Sequence, residues 1–181
     1  MKKILVVVDM QNDFIDPVLG SLGTQEACEA VHGVVEVINK EPYERVYATM
    51  DTHYDHYLDT QEGKYLPVKH CIKGTYGWDL NSKVEAALKG VGYTKVEKNT
   101  FGSIDLALEI DAITRNEDIH DFEVVMCGVC TDICVISNAL LLKAWKPELK
   151  ITVVEKACAG VTPLKHEEAI DVMKSCQIEI I

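Results

Sequence analysis

No apolar run in this chain is longer than Ile4–Val8, far short of the roughly 18–20 residues that span a bilayer. Asp9 follows that run at once, so Met1–Val8 reads neither as a membrane segment nor as a signal peptide, despite Lys2 and Lys3. Positive charge is also scarce. Eighteen Lys+Arg stand against 29 Asp+Glu, a net charge of −11. That argues against nucleic acid and anionic membrane as partners, since both need clustered cations. There is no Gly/Ser/Pro linker, low-complexity tract or internal repeat, so residues 1–181 read as one domain of ordinary size. No Gly-x-Gly-x-x-Gly follows the first apolar run, which drops the common dinucleotide site. The Cys127–Cys130 spacing has no second pair to complete a structural zinc site. Seven Cys is an odd number, in a chain too large to need disulfide staples, and a reducing cytoplasm is the expected compartment.

What the chain does have is apolar material, 48% of residues, arranged in one repeated alternation. Lys3–Val8 is a β-branched run typical of a strand buried on both faces. Thr24–Lys40 follows with Ala27, Ala30, Val31, Val34, Val35 and Ile38 at helical spacing. Further strands are expected at Arg45–Thr49, Thr94–Glu97, Glu123–Cys127, Ile151–Val154 and Ile178–Ile181. Helices are expected at Trp78–Leu88, Ile104–Ile113, Asp132–Trp145 and Pro163–Ser175. Strands alternating with helices imply βαβ units, hence an α/β fold: a parallel sheet of about six strands with helices on both faces. The long irregular stretch Asp51–Tyr76 stands out, because loops of that length in compact domains are usually functional or disordered.

Ligands of such sheets sit beyond the carboxyl ends of the strands, which singles out Asp9, Asp51, Lys98 and the Cys130–Cys134 turn. Asp9 ends a buried strand, where a charge costs free energy unless it is paired or used; a turn or capping role is the equal alternative. Lys98 on its own is an ordinary surface charge, and gains meaning only beside a thiol, whose pKa a cation lowers. Thr131 or Asp132 is a suitable N-cap for the helix that follows, which places Cys134 in a first helical turn, where the macrodipole favours an anion. From spacing alone a nucleophile, a Cys127–Cys130 redox pair and core packing stand level. The long loop holds Asp51, His53, His56, Glu62 and His70, a set of oxygen and imidazole donors suited to a divalent metal; an ordinary polar loop is the alternative for any one of them. Phe14, Tyr76, Trp78 and Phe101 flank these motifs and can wall a flat substrate. Cys28 and Cys176 fall in helical patterns and read as packing. Cys71, beside His70, is a candidate soft ligand, and His32, His120 and His166 read as surface residues.

The strings Val6-Val7-Val8-Asp9-Met10-Gln11-Asn12-Asp13-Phe14 and Gly128-Val129-Cys130-Thr131-Asp132-Ile133-Cys134-Val135, with Lys98 between them, resemble the three signatures of the isochorismatase-like cysteine hydrolases. The resemblance runs over essentially the whole chain in the expected order, and it implies a parallel, Rossmann-like α/β sheet. It also implies an Asp9–Lys98–Cys134 catalytic triad, a cis Val129–Cys130 peptide, and an oxyanion hole made by the backbone N–H groups of Cys130 and Cys134. Members that cleave the vinyl ether of isochorismate typically lack the nucleophilic Cys, so Cys134 points to the amidase branch. The loop is similar to the metal site of nicotinamidases, with Asp51, His53, Glu62 and His70 at ligand positions, His56 in reserve, and zinc, iron or manganese as the metal. One departure is visible: nicotinamidases commonly place an aromatic residue and Pro-Pro before the last His, where this chain has Tyr65-Leu66-Pro67-Val68-Lys69-His70. The function implied is hydrolysis of a small amide, nicotinamide first, by a homo-oligomer. A carbamoyl or ureido substrate for the same triad, or a non-hydrolytic redox or metal-binding protein, are the alternatives.

Iodoacetamide labelling separates hydrolase from redox protein. A hydrolase gives one reactive site at Cys134, whereas coupled changes at Cys127 and Cys130 with oxidation would favour the redox pair.

Overall fold

The computed structural model describes residues 1–181. Six strands form one sheet: β1 (Lys2–Val8), β2 (Arg45–Asp51), β3 (Thr94–Lys98), β4 (Phe122–Val129), β5 (Lys150–Ala159) and β6 (Glu179–Ile180). Their order is β3-β2-β1-β4-β5-β6, and every neighbouring pair is parallel. This is the Rossmann-like order expected from the sequence. The chain winds outward from β1 in one direction and then the other, so the connection reverses between β1 and β4 and leaves a crevice at their carboxyl ends.

The helices are α1 (Asn12–Ile15), α2 (Gln25–Asn39), α3 (Gln61–Tyr65), α4 (Ser82–Val91), α5 (Ile104–Thr114), α6 (Ile136–Trp145) and α7 (Pro163–Ser175). α2 lies beside α4 and across β4 and β5, while α6 packs between α5 and α7 on the other face. Thr24 starts α2 by accepting a hydrogen bond from Ala27 N–H, as the Ser/Thr capping preference predicts. α2 then turns Ala27, Ala30, Val31, Val34, Val37 and Ile38 inward. Every residue from Ile4 to Val8 is fully buried, which is why β1 is apolar without alternation. No helix is long and apolar enough to cross a membrane.

Several boundaries differ from expectation. The helix placed at Trp78–Leu88 begins at Ser82, because the Asn81 side chain caps it by accepting from Lys83 N–H, while Leu80 pairs with Gln11 in a short antiparallel bridge. β2 runs on through Asp51 and β3 through Lys98. β5 is also longer than its apolar run, pairing Cys158 and Ala159 with Gly128 and Val129 after a register shift. The irregular loop contains a 3₁₀ turn at Tyr57–Asp59 and then α3.

α2 approaches the sheet closely at Gly33, where a Cβ would lie 2.8 Å from the Lys156 carbonyl oxygen. Gly to Ala in an exposed helix stabilises by about 1 kcal/mol. At Gly33→Ala the clash with main chain is expected to reverse the sign, to a loss of about 1–2 kcal/mol. Urea unfolding measures it, and an unchanged or higher midpoint would contradict this packing.

Candidate active site

Four strand ends deliver the charged groups to one crevice. Asp9 leaves β1 with φ of 46°, a left-handed turn that Asp tolerates better than most residues. Its N–H donates to both the carbonyl and the hydroxyl oxygen of Thr49 at 3.2 Å, and the Thr49 hydroxyl donates to Asp9 Oδ1 at 2.6 Å. Lys98, ending β3, puts Nζ 2.7 Å from Asp9 Oδ2, 3.6 Å from Cys134 Sγ and 3.9 Å from Asp51 Oδ1. All four are almost wholly buried. The Lys98–Asp9 contact is a close ion pair, but Oδ2 receives no well-aligned hydrogen bond from any group.

Electrostatics decide how the thiol rests. Burial pushes the Cys134 thiol well above its ordinary range, the Asp9 charge pushes it further, and Lys98 pulls it back. Burial likewise opposes the Lys98 charge, yet Asp9, Cys134 and Asp51 hold that lysine above its usual value. Burial and the Asp9 charge together favour the protonated thiol over a standing thiolate.

The turn that carries Cys134 is a single π-helical turn, Thr131–Val135, running directly into α6. The expected capping by Thr131 or Asp132 does not occur. Cys130 occupies the cap position without a side-chain bond, the Thr131 hydroxyl bonds His166 instead, and Asp132 Oδ1 accepts from Val161 N–H. The Cys130 carbonyl accepts from Ile133 and Val135 N–H at 3.1 and 3.0 Å, while its own N–H has no main-chain partner. The Val129–Cys130 peptide is cis, as the resemblance implied. Burial pushes the Cys130 thiol up to about 12.

Beside this cluster, donor atoms of Asp51, His53 and His70 all lie within 4.8 Å of one another. Asp51 Oδ2 is 3.1 Å from His53 Nε2 and 3.3 Å from His70 Nε2. Glu62, brought up by α3, has Oε1 3.7 and 3.6 Å from the same two nitrogens. His70 Nδ1 lies 2.9 Å from the Val68 carbonyl, which only accepts, so Nδ1 carries a proton and Nε2 is the ring nitrogen turned toward Asp51 and Glu62. The set therefore fits a divalent ion. His56 is outside it, stacked on Tyr54. Cys71 is buried, but its sulfur is not among the converging donors.

The aromatic candidates separate. Phe14 is buried with its ring 5.7 Å from that of His70. Phe101 is half-exposed and its carbonyl accepts from Asn138. Tyr76 turns away to donate to Asp16, and Trp78 donates to Thr52. His166, expected at the surface, is partly buried against Thr131.

Sequence reasoning missed the residues that hold the strand ends together. Gln11 accepts from Asp51 N–H at 2.7 Å and donates to the carbonyls of Asp51 and Trp78 at 2.8 and 2.9 Å. Asp13 accepts from Cys71 N–H at 2.7 Å, tethering the segment that bears His70. Asn138 donates to the Cys134 carbonyl at 2.7 Å and accepts from Ser103 N–H at 2.9 Å, tying the turn that bears Cys134 to the loop beyond Lys98. Buried polar side chains at the start of α1 and in α6 were the available signal, though nothing in the sequence pairs them.

The fold is a parallel α/β sheet whose buried charged side chains gather at the strand ends. The chain belongs to the isochorismatase family, whose Isochorismatase domain model matches residues 3–181. It is 27% identical over 207 residues to the nicotinamidase of Schizosaccharomyces pombe, covering 98% of this chain and 91% of that one. Among solved structures, the pyrazinamidase/nicotinamidase of Streptococcus mutans UA159 superposes with a TM-score of 0.83 at 26% identity, over 99% of this chain and 100% of that one. The pyrazinamidase of Pyrococcus horikoshii in complex with zinc gives 0.74 at 27% identity, over 100% and 99%.

Lys98→Met strands the Asp9 charge, and removing one partner of a buried ion pair costs about 3–5 kcal/mol. Adding Asp9→Asn is expected to recover part of that loss. Denaturant midpoints of the single and double variants measure it, and a double variant no more stable than Lys98→Met would contradict the pairing.

Proposed function

We propose that this protein hydrolyses a small amide, with nicotinamide the first substrate, to the carboxylic acid and ammonia through a thioester on Cys134. The observation that carries this reading is Lys98 Nζ, within 2.7 Å of Asp9 Oδ2 and 3.6 Å of Cys134 Sγ, and 3.9 Å from a carboxylate of the adjoining donor set. One cation joins a nucleophile and its base to a site that fits a metal. The relatives named above, nicotinamidases and pyrazinamidases over nearly their whole length, support the same substrate class.

In this mechanism Asp9 Oδ2 takes the Sγ proton as sulfur attacks the amide carbon, and Lys98 offsets the negative charge that moves between them. The carbonyl oxygen becomes an oxyanion held by the N–H groups of Cys130 and Cys134. Asp9 returns the proton to the departing nitrogen, the C–N bond breaks, and ammonia leaves the thioester. Water then gives a proton to Asp9 and attacks the same carbon; the S–C bond breaks and the proton returns to sulfur. Asp51, His53 and His70, with Glu62 beside them, would hold a divalent ion such as zinc, iron or manganese, which when bound supplies a Lewis-acid position for a ring nitrogen. Phe14, against His70, and Phe101 at the rim are the candidate walls for that ring.

A carbamoyl or ureido substrate is the second reading. Tyr65 is 86% exposed, so the run before His70 offers the crevice no aromatic wall there. The mechanism needs a free thiol, and all seven Cys are unpaired, so a reducing cytoplasm and a homo-oligomeric state belong to the same proposal.

Ammonia release from nicotinamide and from a panel of carbamoyl and ureido compounds, with and without added divalent ions, separates the two. Cys134→Ala is expected to abolish turnover while keeping the fold, and Cys130→Ala to retain most of it because only its N–H is used. Chelated, dialysed protein should lose affinity for a pyridine carboxamide yet still alkylate at Cys134. Equal losses from both Cys substitutions would instead indicate a shared redox or metal role. If neither binding nor rate responds to metal, the ureido reading takes first place.

A further inference from the structure

The turn bearing Cys134 is gripped from outside the crevice by the segment between β5 and α7. Thr131, its first residue, is wholly buried and shares a hydrogen bond of 2.8 Å with His166 Nδ1. His166 stands in the first turn of α7, its main-chain N–H bonded to the Thr162 carbonyl at 2.9 Å. Its Nε2 lies 3.8 Å from Glu155 Oε1. The next residue of the turn, Asp132, accepts from Val161 N–H at 2.9 Å. Gly160 completes the contact, since a Cβ there would meet Asp132 Oδ1 and His166 Cβ, each at 2.9 Å. Both residues these groups grip lie between Cys130 and Cys134.

We infer that His166 is a positioning residue, which through Thr131 fixes the π turn so that the N–H groups of Cys130 and Cys134 converge on the substrate oxygen. This rests on the acyl-transfer reading above. A buried hydroxyl left without a partner is costly, so losing the imidazole lets the turn rotate toward another one. A rotation of a few tenths of an ångström hardly moves the reach of a sulfur, but it misaligns hydrogen bonds aimed at a developing charge. The signature is therefore selective: steps that make an oxyanion slow down, whereas alkylation, which makes none, does not.

The test compares two reactions of Cys134 in the full-length protein. In acylation by p-nitrophenyl acetate, the sulfur–carbon bond forms, the carbon–oxygen bond breaks, p-nitrophenolate leaves and the Sγ proton goes to Asp9. Alkylation by iodoacetamide needs no oxyanion hole. His166→Leu is expected to slow acylation about tenfold while leaving alkylation within about twofold of wild type. Thr131→Val should do the same, and the double variant should lose no more than either alone, as members of one interaction do. His166→Asn, with an amide atom near the Nδ1 position, should stay within about threefold of wild type in acylation. Gly160→Ala disturbs the same grip from the other side and provides the check should His166→Leu fold poorly; it too should slow acylation selectively. Unchanged acylation in folded variants, parallel falls in both rates, or additive losses would overturn the inference. Nicotinamide turnover judges the substrate separately: wild-type protein that is acylated but does not hydrolyse nicotinamide overturns that assignment, while the brace stands or falls on its own two rates.

Discussion

A buried ammonium group organises this molecule's active end. Lys98 is 6% exposed, and a charge taken that far from water persists only where neighbouring charges and hydrogen bonds replace its solvation. Asp9 supplies most of that replacement at 2.7 Å, with Asp51 at 3.9 Å behind it. The three residues end three different strands, so the charge balance is satisfied only when β1, β2 and β3 finish in register. Cys134 then meets the same cation from the far side of the switch between β1 and β4.

The sheet makes that meeting possible because its centre is apolar. Ile4–Val8 and Val124–Val129 are sealed between helices, leaving buried polar side chains to the amino end, where Thr152 donates to Glu123, and to the carboxyl edge. There the work of alignment falls to polar side chains that bond main chain elsewhere: Gln11 across to Asp51, Asp13 to Cys71, Thr49 to Asp9 and Asn138 to Ser103. Each spans from one strand end or loop to another. They make the crevice a preformed arrangement, which is what electrostatic assistance to a transition state requires.

The alternation of apolar runs made the sheet legible, since fully buried parallel strands and amphipathic helices have different periods. Asp9, Lys98 and the Cys130–Cys134 turn were legible because ligands gather at strand ends, and family resemblance ordered them. What escaped notice depends on partners distant in sequence. Thr131 and Asp132 look like helix caps locally, but His166 and Val161, some thirty residues on, capture their side chains. Trp78–Leu80 carries helical spacing, but Trp78 and Asp79 close a turn on Thr75 and Leu80 bridges to Gln11, so the helix starts only after Asn81. Glu62 reaches His53 and His70 only because a short helix forms inside a loop that has no strong periodicity.

The central claim is that Cys134, not another thiol, carries the acyl group. Rapid acid quench of the protein during nicotinamide turnover, followed by mass analysis of its peptides, tests this directly. The account predicts a nicotinoyl increment on the peptide containing Cys134, building up before steady state and absent from Cys134→Ala. Turnover with no covalent adduct, or an adduct on Cys130 or Cys71, would contradict it.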